Sequence, residues 1–190
     1  LLTVWGFIFL GELIITIENK SKVMKYLKKI IFLIFALLNQ INLHFKLRII
    51  GNYIDQINVF LLKAIGAKIG QNSFVRSNVL ILKPENLIIG NNSTIGSNSE
   101  LFNYAEIIIG DNVDIGTQLY INTNNHKIDD PSRPLAYQGA VINKISIGSD
   151  VWIGARVTIL SGVEIKKRVV VGAGSVVTSD LESGYVYGGV

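Results

Sequence analysis

Apolar residues recur at intervals of six along most of the chain, and a glycine usually follows each one. The ladder begins at Ile69 and reads in sixes as IGQNSF, VRSNVL and ILKPEN, and after two extra residues it resumes as IGNNST, IGSNSE and LFNYAE. It continues to residue 182, with one large break after His126. A fixed period of six residues is the signature of a β-helix, in which short strands stack coil upon coil.

Each position of the hexad has its own predicted place in such a coil. The first residue points inward, and the fifth fills the space near a corner. The fifth residue is small or β-branched in most hexads: Ser73, Ser93, Val113, Val151, Val157, Val163, Val169 and Ser175. The Asn, Asp and Gly residues between them tolerate the left-handed backbone of tight corners. Three hexads thus predict one triangular coil of about 18 residues, and the spacing of an amphipathic helix is absent.

The rhythm of the ladder breaks in two different ways. Slips of two residues precede Ile89 and Ile109, at the same place in consecutive coils, so that one face is predicted to be slightly longer while the register is kept. The third interruption runs from about residue 127 to residue 146 and is too long for a corner. Long loops inside compact repeats are usually functional. We therefore expect an extruded loop with His126 at its mouth.

The N-terminal third contains no hexads. Residues 1–17 are mostly apolar, but they are slightly short for a membrane span and include Glu12, which is costly at a bilayer centre. A cluster of lysines follows, and then a second apolar run over residues 30–38. Lysines beside apolar faces favour a helix lying on an anionic leaflet, so contact of residues 1–50 with a membrane is one interpretation. Packing on the end of the coil, a subunit interface and a transmembrane span stay open.

The helical spacing of residues 53–65 ends at Gly66, a natural stop. The chain is thus divided into an apolar helical segment, residues 1–65, and a coil domain, residues 66–190. It begins with Leu, and Met24 is its only methionine, so residues 1–23 are expected either to precede the natural start or to mark a fragment. We expect a cytoplasmic protein, at the inner face of the membrane if the first segment binds lipid.

Composition excludes several classes of chemistry. The chain has no cysteine, which excludes disulfides, thiolate metal sites and a cysteine nucleophile. Its net charge of +4 is modest and scattered, and no nucleic-acid-reading motif is present, so we expect no nucleic-acid partner. The two histidines are His44, among apolar residues, and His126, at the large break. We expect His44 to be simply packed or solvated.

Three segments strengthen the ladder into a family resemblance: HKIDDPSRP, DVWIGARVTILSGVEI and VGAGSVVTSD. With the ladder they resemble the hexapeptide-repeat acyltransferases, above all the branch that acts on maltose, galactosides and xenobiotics, over residues 66–190. The resemblance implies a mainly β protein with a left-handed parallel β-helix, an N-terminal helical segment and one extruded loop. It also implies a homotrimer with active sites between subunits, acetyl-CoA as co-substrate and no metal.

The activity implied by the resemblance is O-acetylation of a sugar or polysaccharide hydroxyl. The alternative within the family is N-acylation of a nucleotide-linked amino sugar. A γ-type carbonic anhydrase would need three histidines around zinc, and the coil has only His126. A non-enzymatic solenoid is disfavoured by the long loop and the irregular outer faces of the coil.

Position and resemblance together make His126 the expected catalytic base. Histidine suits that task because its ordinary pKa lies near neutral pH. It would take the proton from an acceptor hydroxyl or amine, which would attack the thioester carbonyl directly. No covalent acyl-enzyme is required in this scheme.

Other positions are assigned to the oxyanion and to the acceptor by likeness alone. The backbone N–H of Ala155 is expected to stabilise the oxyanion. Asn98 lies near an asparagine that contacts acceptor or donor in relatives, with Asn103 as the alternative, although both could be corner residues. Asp129 or Asp130 would orient the imidazole or bind an acceptor hydroxyl, or would form an ordinary turn.

The donor side is expected along two runs of small residues that would let a pantetheine arm approach. Trp152 would wall the groove, or cap the coil. Three basic residues, Lys166, Lys167 and Arg168, would meet phosphates or form a solvated corner. The expected cofactor-binding positions are Trp152, Gly154, Ala155, Gly172, Ala173, Thr178 and Ser179.

Overall fold

The computed structural model describes residues 21–40 and 48–189 of the chain. Two helices precede the coil: α1 spans Ser21–Gln40 and α2 spans Arg48–Ala64. No helix in these two ranges combines the length and the apolar character that crossing a bilayer requires. The expectations that concern residues 1–20 and His44 lie outside the described residues.

The coil is built from short parallel strands in three sheets that wind through about six turns. Sheet A contains β1 (Lys68–Ile69), β4 (Leu87–Ile89), β7 (Ile107–Ile109), β12 (Ile145–Ile147) and β15 (Glu164–Ile165). Sheet B contains β2 (Phe74–Val75), β5 (Thr94–Ile95), β8 (Asp114–Ile115), β13 (Trp152–Ile153), β16 (Val170–Val171) and β18 (Val186–Tyr187). Sheet C contains β3 (Leu80–Ile81), β6 (Glu100–Phe102), β9 (Tyr120–Asn122), β14 (Thr158–Ile159) and β17 (Val176–Val177). Strands β10 (Asn124–His126) and β11 (Ala140–Ile142) form a separate antiparallel hairpin. We name the A–B, B–C and C–A corners after the sheets that they join.

The strand register confirms the parallel solenoid and explains the slips in the ladder. Ile69 pairs with Ile89 and Ile89 with Ile109, so the first coils each take 20 residues. Ile109 pairs with Ile147 across the large break, and Ile147 pairs with Ile165. The extra residues enter at the C–A corner, where Pro84–Asn86 forms a 3₁₀ helix in the first coil. The left-handed sense of the coil stays an expectation of the resemblance.

The interior of the coil holds the two hexad positions that the sequence assigns to it. First-position residues such as Ile95 and Ile153 are fully buried. Burial of one such side chain contributes about 1.5–3 kcal/mol. Fifth-position serines are buried too, and they bond between coils: the Ser73 hydroxyl donates to the Gly90 carbonyl at 2.6 Å, and the Ser93 N–H donates to the Ser73 hydroxyl at 3.0 Å. The buried hydroxyls of Ser73 and Ser93 therefore have partners.

Asparagine is used at the corners, as the sequence predicts. Asn72, Asn92 and Asn112 all have φ of 55°, in the left-handed region that asparagine tolerates better than most residues. Their side-chain amides form a ladder, with Asn72 Nδ2 donating to Asn92 Oδ1 at 3.3 Å and Asn92 Nδ2 to Asn112 Oδ1 at 3.2 Å. The stacking of coils thus gives these corner amides hydrogen-bond partners.

Glycines line the B–C corner because neighbouring coils approach too closely there for a side chain. A Cβ on Gly96 would lie 2.3 Å from the Gly116 carbonyl oxygen. A Cβ on Gly116 would lie 2.7 Å from the Ala155 nitrogen. Both clashes are with backbone atoms, which cannot swing aside as a side chain can. At Gly96 and Gly116 the glycine that follows the inward residue is therefore a packing requirement.

Gly96→Ala is expected to lower the free energy of unfolding by about 1–3 kcal/mol, because the coils must separate to admit the methyl group. Denaturant unfolding measures the change. Gly51→Ala is the matched control: Gly51 lies in α2 with no atom within 4 Å of its Cβ position, so the same substitution should stabilise by up to about 1 kcal/mol. Equal stability of Gly96→Ala and the unchanged protein would contradict the packing role.

The two helices pack on the first end of the coil, which is one of the interpretations left open by the sequence. Phe35 of α1 and Leu62 of α2 are buried in the same apolar cluster as Ile69 of the first coil. An ion pair between Asp55 of α2 and Arg76 also joins helix to coil. Burial raises the pKa of Asp55, against the lowering effect of its hydrogen bond to Arg76.

Candidate active site

The large break in the ladder is a β-hairpin that leaves the C–A corner. The chain departs after Thr123 and returns at Ile145, and both residues are fully buried. His126 pairs with Ala140 across the hairpin. The excursion therefore covers residues 124–144 rather than 127–146, and His126 lies on its first strand instead of at its mouth. The difference arises because β10 continues in extended form beyond the coil and finds an antiparallel partner in β11.

A cluster of hydrogen bonds fixes the base of the hairpin to the coil. The Thr123 carbonyl accepts from the Ser161 hydroxyl at 2.7 Å and from the Asn143 N–H at 2.9 Å. The Thr123 hydroxyl accepts from the Ala105 N–H at 3.0 Å. Sequence reasoning missed Thr123 and Ser161; both occupy the same place in the coil as Asn103, and alignment of the hexads could have found them. These contacts hold the start of β10 rigidly.

His126 is exposed on the hairpin, so its imidazole is open to a second molecule. Its backbone N–H donates to Asn125 Oδ1 at 3.0 Å. Asp129 is also exposed and forms no hydrogen bond within the described part of the chain. Asp130 closes a turn, since its carboxylate accepts the Ser132 N–H at 3.0 Å. Neither carboxylate is hydrogen-bonded to the imidazole within one chain.

Ala155 offers an unoccupied backbone donor at the B–C corner. At the A–B corner the equivalent N–H groups bond to side chains of the next coil: Gln71 N–H donates to Asn91 Oδ1 at 2.8 Å, and Asp111 N–H to Ser149 Oγ at 3.0 Å. The residue stacked on Ala155 is Ala173, which has no side-chain oxygen. The Ala155 N–H donates to no group in residues 21–40 or 48–189.

The neighbouring residues expected to bind the cofactor fall on the same side of the coil. Trp152 lies within β13, between Asp114 and Val170, and is 57% exposed, so it projects from the face of sheet B and does not cap the coil. Gly154 is required by packing, since a Cβ there would lie 2.5 Å from the Ala173 nitrogen. Gly172 is less crowded, with its nearest atom, the Tyr187 carbonyl oxygen, at 3.3 Å.

The remaining predicted positions lie at corners. Thr178 and Ser179 are exposed at the C–A corner after β17. Asn98 has φ of 60° at the B–C corner and accepts the Asn78 amide at 2.7 Å. Asn103 is fully buried, where its Oδ1 accepts the Lys83 N–H at 2.9 Å and its Nδ2 donates to the Lys83 carbonyl. Both asparagines therefore have structural partners in the corner stack.

The structure places Ala155 where the strands of sheet C begin, and the hairpin with His126 where these strands end. The hairpin leaves the C–A corner, which in the fourth coil is occupied by Ser161, whereas Ala155 precedes β14 at the B–C corner. Ala155 and Ser161 are six positions apart, which at about 3.3 Å per residue corresponds to at most about 20 Å. Within one chain the hairpin and Ala155 thus lie at different corners of the coil. Over the described residues, no three His, Asp or Glu side chains lie close enough to hold a metal ion.

A parallel solenoid with hexapeptide faces defines the class of this protein as a hexapeptide-repeat protein. Family models agree: "Bacterial transferase hexapeptide (six repeats)" matches residues 144–179, and "Hexapeptide repeat of succinyl-transferase" matches residues 86–123. Within that class the chain is similar to acetyltransferases, both among its relatives in sequence and among its structural neighbours.

Among the relatives, the galactoside O-acetyltransferase of Lactococcus lactis is 43% identical over 67 residues, which are 35% of this chain and 31% of that protein. A maltose O-acetyltransferase from Clostridium difficile has a similar structure, with a TM-score of 0.69 and 25% identity over 89% of this chain and 84% of that one. A hexapeptide-repeat acetyltransferase from Vibrio cholerae, solved in complex with acetyl coenzyme A, has a TM-score of 0.69 and 27% identity over 90% of this chain and 87% of that one.

The sequence matches to curated relatives are short. They span between 19% and 34% of the length of those proteins. The structural matches are longer and cover 89% and 90% of this chain.

Proposed function

We propose that this protein transfers an acetyl group from acetyl-CoA to a hydroxyl of a sugar or glycan. The observation that carries the proposal is that the chain has both an exposed histidine on a hairpin bonded to the coil and an unoccupied backbone donor at Ala155. The relatives named for galactoside and maltose O-acetylation support the sugar acceptor. The neighbour solved with acetyl coenzyme A supports the donor.

The proposed reaction needs one base and one oxyanion donor. A nitrogen of the His126 imidazole takes the proton of the acceptor hydroxyl, and the oxygen attacks the thioester carbonyl carbon. The carbonyl oxygen becomes an oxyanion that accepts a hydrogen bond from the Ala155 N–H. The carbon–sulfur bond then breaks, and the imidazolium returns the proton to the leaving thiolate, which departs as the free thiol of coenzyme A. The acetyl ester of the acceptor is the second product.

The site is proposed to form between copies of the chain in a homotrimer. His126 of one copy would meet Ala155 of another, because the two lie at opposite ends of sheet C in a single copy. The hairpin also exposes apolar side chains that an adjacent copy would cover: Leu135 is 59% exposed, Tyr137 72% and Ile142 51%. Burial of such side chains favours association.

The donor is proposed to lie along the corner strip that carries Ala155. Trp152 would form one wall of the pantetheine channel, and Gly172 and Ala173 would let the arm approach the backbone. Thr178 and Ser179 would meet the more distant part of the cofactor. The exposure of Trp152, Ala173, Thr178 and Ser179 is compatible with these roles.

The test is release of coenzyme A thiol by the purified protein, supplied with acetyl-CoA and a panel of acceptors. We expect thiol release that depends on a galactoside, maltoside or polysaccharide acceptor, together with an O-acetylated product by mass spectrometry. Acetylation confined to nucleotide-linked amino sugars would replace the proposal with the N-acyl alternative. Thiol release no faster than hydrolysis with every acceptor would contradict acetyl transfer to sugars.

A further inference from the structure

Helix α1 carries an apolar surface that the fold does not use. Ile31 and Phe35 face the core and are each 2% exposed. Tyr26, Ile30 and Leu33 lie on another side of the same helix, at spacings of four and three residues, and are 69%, 51% and 59% exposed. Residues so spaced form one stripe along a helix. An apolar stripe of this kind on an isolated surface is costly unless something covers it.

Three lysines border a groove beside the stripe, and Lys29 is the one that lies next to it on the helix. Lys25, Lys28 and Lys29 are exposed, and none of them forms an ion pair within residues 25–35 or 51–189. The groove, of about 850 Å³, lies between α1 and the C–A corner of the first coil. Its apolar walls include Phe32, Leu33, Leu82 and Pro84, and its one acidic residue is Glu85. We call the stripe, the three lysines and this groove the lysine face.

We infer that the lysine face docks on the surface of an anionic phospholipid bilayer. Charge and exposure together favour that occupant. The three lysines without ion-pair partners would be stabilised by anions, and the exposed apolar stripe would be stabilised by an apolar phase. An anionic bilayer supplies both in the required order, with phosphates at the surface and acyl chains below it. A helix lying in the interface buries its apolar side about 5–10 Å into that boundary. This inference does not depend on the proposed acetyl transfer.

Docking would also orient the candidate site. The groove lies at the C–A corner of the first coil, and the hairpin with His126 leaves the same corner in the third coil. Successive coils are separated by one strand spacing, about 4.8 Å, so the two levels differ by about 10 Å along the coil. The corner that presents His126 would therefore lie beside the bilayer.

The first experiment uses the full chain and sedimentation with vesicles of phosphatidylcholine alone or mixed with phosphatidylglycerol. We expect binding to the anionic vesicles at low ionic strength, weak binding to the neutral ones, and release at high salt, because exposed charges are screened. Equal binding to both vesicle types, or no binding to either, would overturn the inference. Inorganic phosphate at the same concentration as the lipid phosphate should not displace the protein; displacement would indicate a soluble anion as the ligand.

The second experiment changes the lysines. The triple variant Lys25→Gln, Lys28→Gln, Lys29→Gln should lose binding to anionic vesicles by a factor on the order of a hundred. A triple Lys→Arg variant at the same positions should retain it, which separates loss of charge from loss of fold. Circular dichroism checks that the helix persists in both. Retained binding by the glutamine variant would overturn the inference.

A matched control removes the same charge elsewhere. Lys127, Lys144 and Lys167 are exposed lysines of the hairpin and coil, and changing all three to Gln should leave vesicle binding within a few-fold of the unchanged protein. An equal loss would show that overall charge, and not the lysine face, controls binding. If the glutamine variant at residues 25, 28 and 29 instead alters the oligomeric state in the absence of lipid, the face is an interface between copies and the inference fails.

A third experiment tests the apolar stripe by changing two of its side chains and measuring vesicle binding. Ile30→Ser with Leu33→Ser should weaken binding about tenfold or more while leaving its salt dependence intact, because the apolar contribution is lost and the charges remain. Unchanged binding by this variant would overturn the inference that the stripe enters the bilayer.

Discussion

Replacing His126 with alanine should lower the rate of acetyl transfer by a factor on the order of 10²–10⁴, the usual contribution of a positioned general base. The side chain is exposed and makes no hydrogen bond within the described residues, so its removal should leave the coil and the hairpin intact. kcat/KM measured by thiol release gives the effect. Unfolding and size measurements should be the same for both proteins.

The adjacent residue supplies the control for this experiment. Lys127 is exposed on the same hairpin, and its backbone N–H donates to the Gly139 carbonyl at 3.1 Å. Lys127→Ala removes a charged side chain while keeping that bond, so kcat should change little. If His126→Ala retains full turnover, histidine is not the base; if both variants lose turnover equally, the hairpin is needed only as a structural element.

The coil could be predicted from the sequence because its interactions are local and repeated. Each inward Ile or Val follows the same six-residue rule, and each corner is made within a few residues, so a linear pattern contains the fold. The slips before Ile89 and Ile109 could be read for the same reason, since the ladder resumes in register after each. The structural role of the following glycines was not evident, because it depends on how closely the next coil approaches.

The hairpin could not be predicted because nothing in it repeats. The pairing of His126 with Ala140 joins residues on either side of an irregular segment, and no periodicity marks it. The contact that fixes the hairpin, from the Ser161 hydroxyl to the Thr123 carbonyl, joins two coils across that segment. The placement of α1 on the end of the coil likewise depends on tertiary packing, which an amphipathic pattern alone leaves open.

Resemblance named Ala155, but the physical reason for its N–H being unoccupied appears only when coils are aligned. The donor is open, and Ala173, 18 residues further on, stacks upon it without a side-chain acceptor. At the A–B corner the position equivalent to Ala173 is filled by Asn91 or Ser149. Their side chains accept hydrogen bonds from the backbone N–H groups of the preceding coil.

The stacking of Ala173 on the Ala155 N–H leads to a second prediction with a large effect on turnover: Ala173→Ser should lower kcat by about tenfold to a hundredfold. The new hydroxyl would stand to the Ala155 N–H as the Ser149 hydroxyl stands to the Asp111 N–H, which donates to it at 3.0 Å. Complete loss of one oxyanion donor costs about 10²–10³ in kcat, and an internal competitor should cost somewhat less. Because the donor acts in the transition state, kcat should fall more than KM for acetyl-CoA rises.

Ala173→Val separates this effect from crowding of the cofactor. Valine is larger than serine and carries no acceptor, so it should raise KM for acetyl-CoA with a smaller effect on kcat. Hydrogen exchange gives a readout that does not depend on turnover, since the Ala155 amide should become more protected in the serine variant and not in the valine variant. If serine protects the amide and kcat is unchanged, the Ala155 N–H does not stabilise the oxyanion, and the donor must be sought elsewhere along the corner.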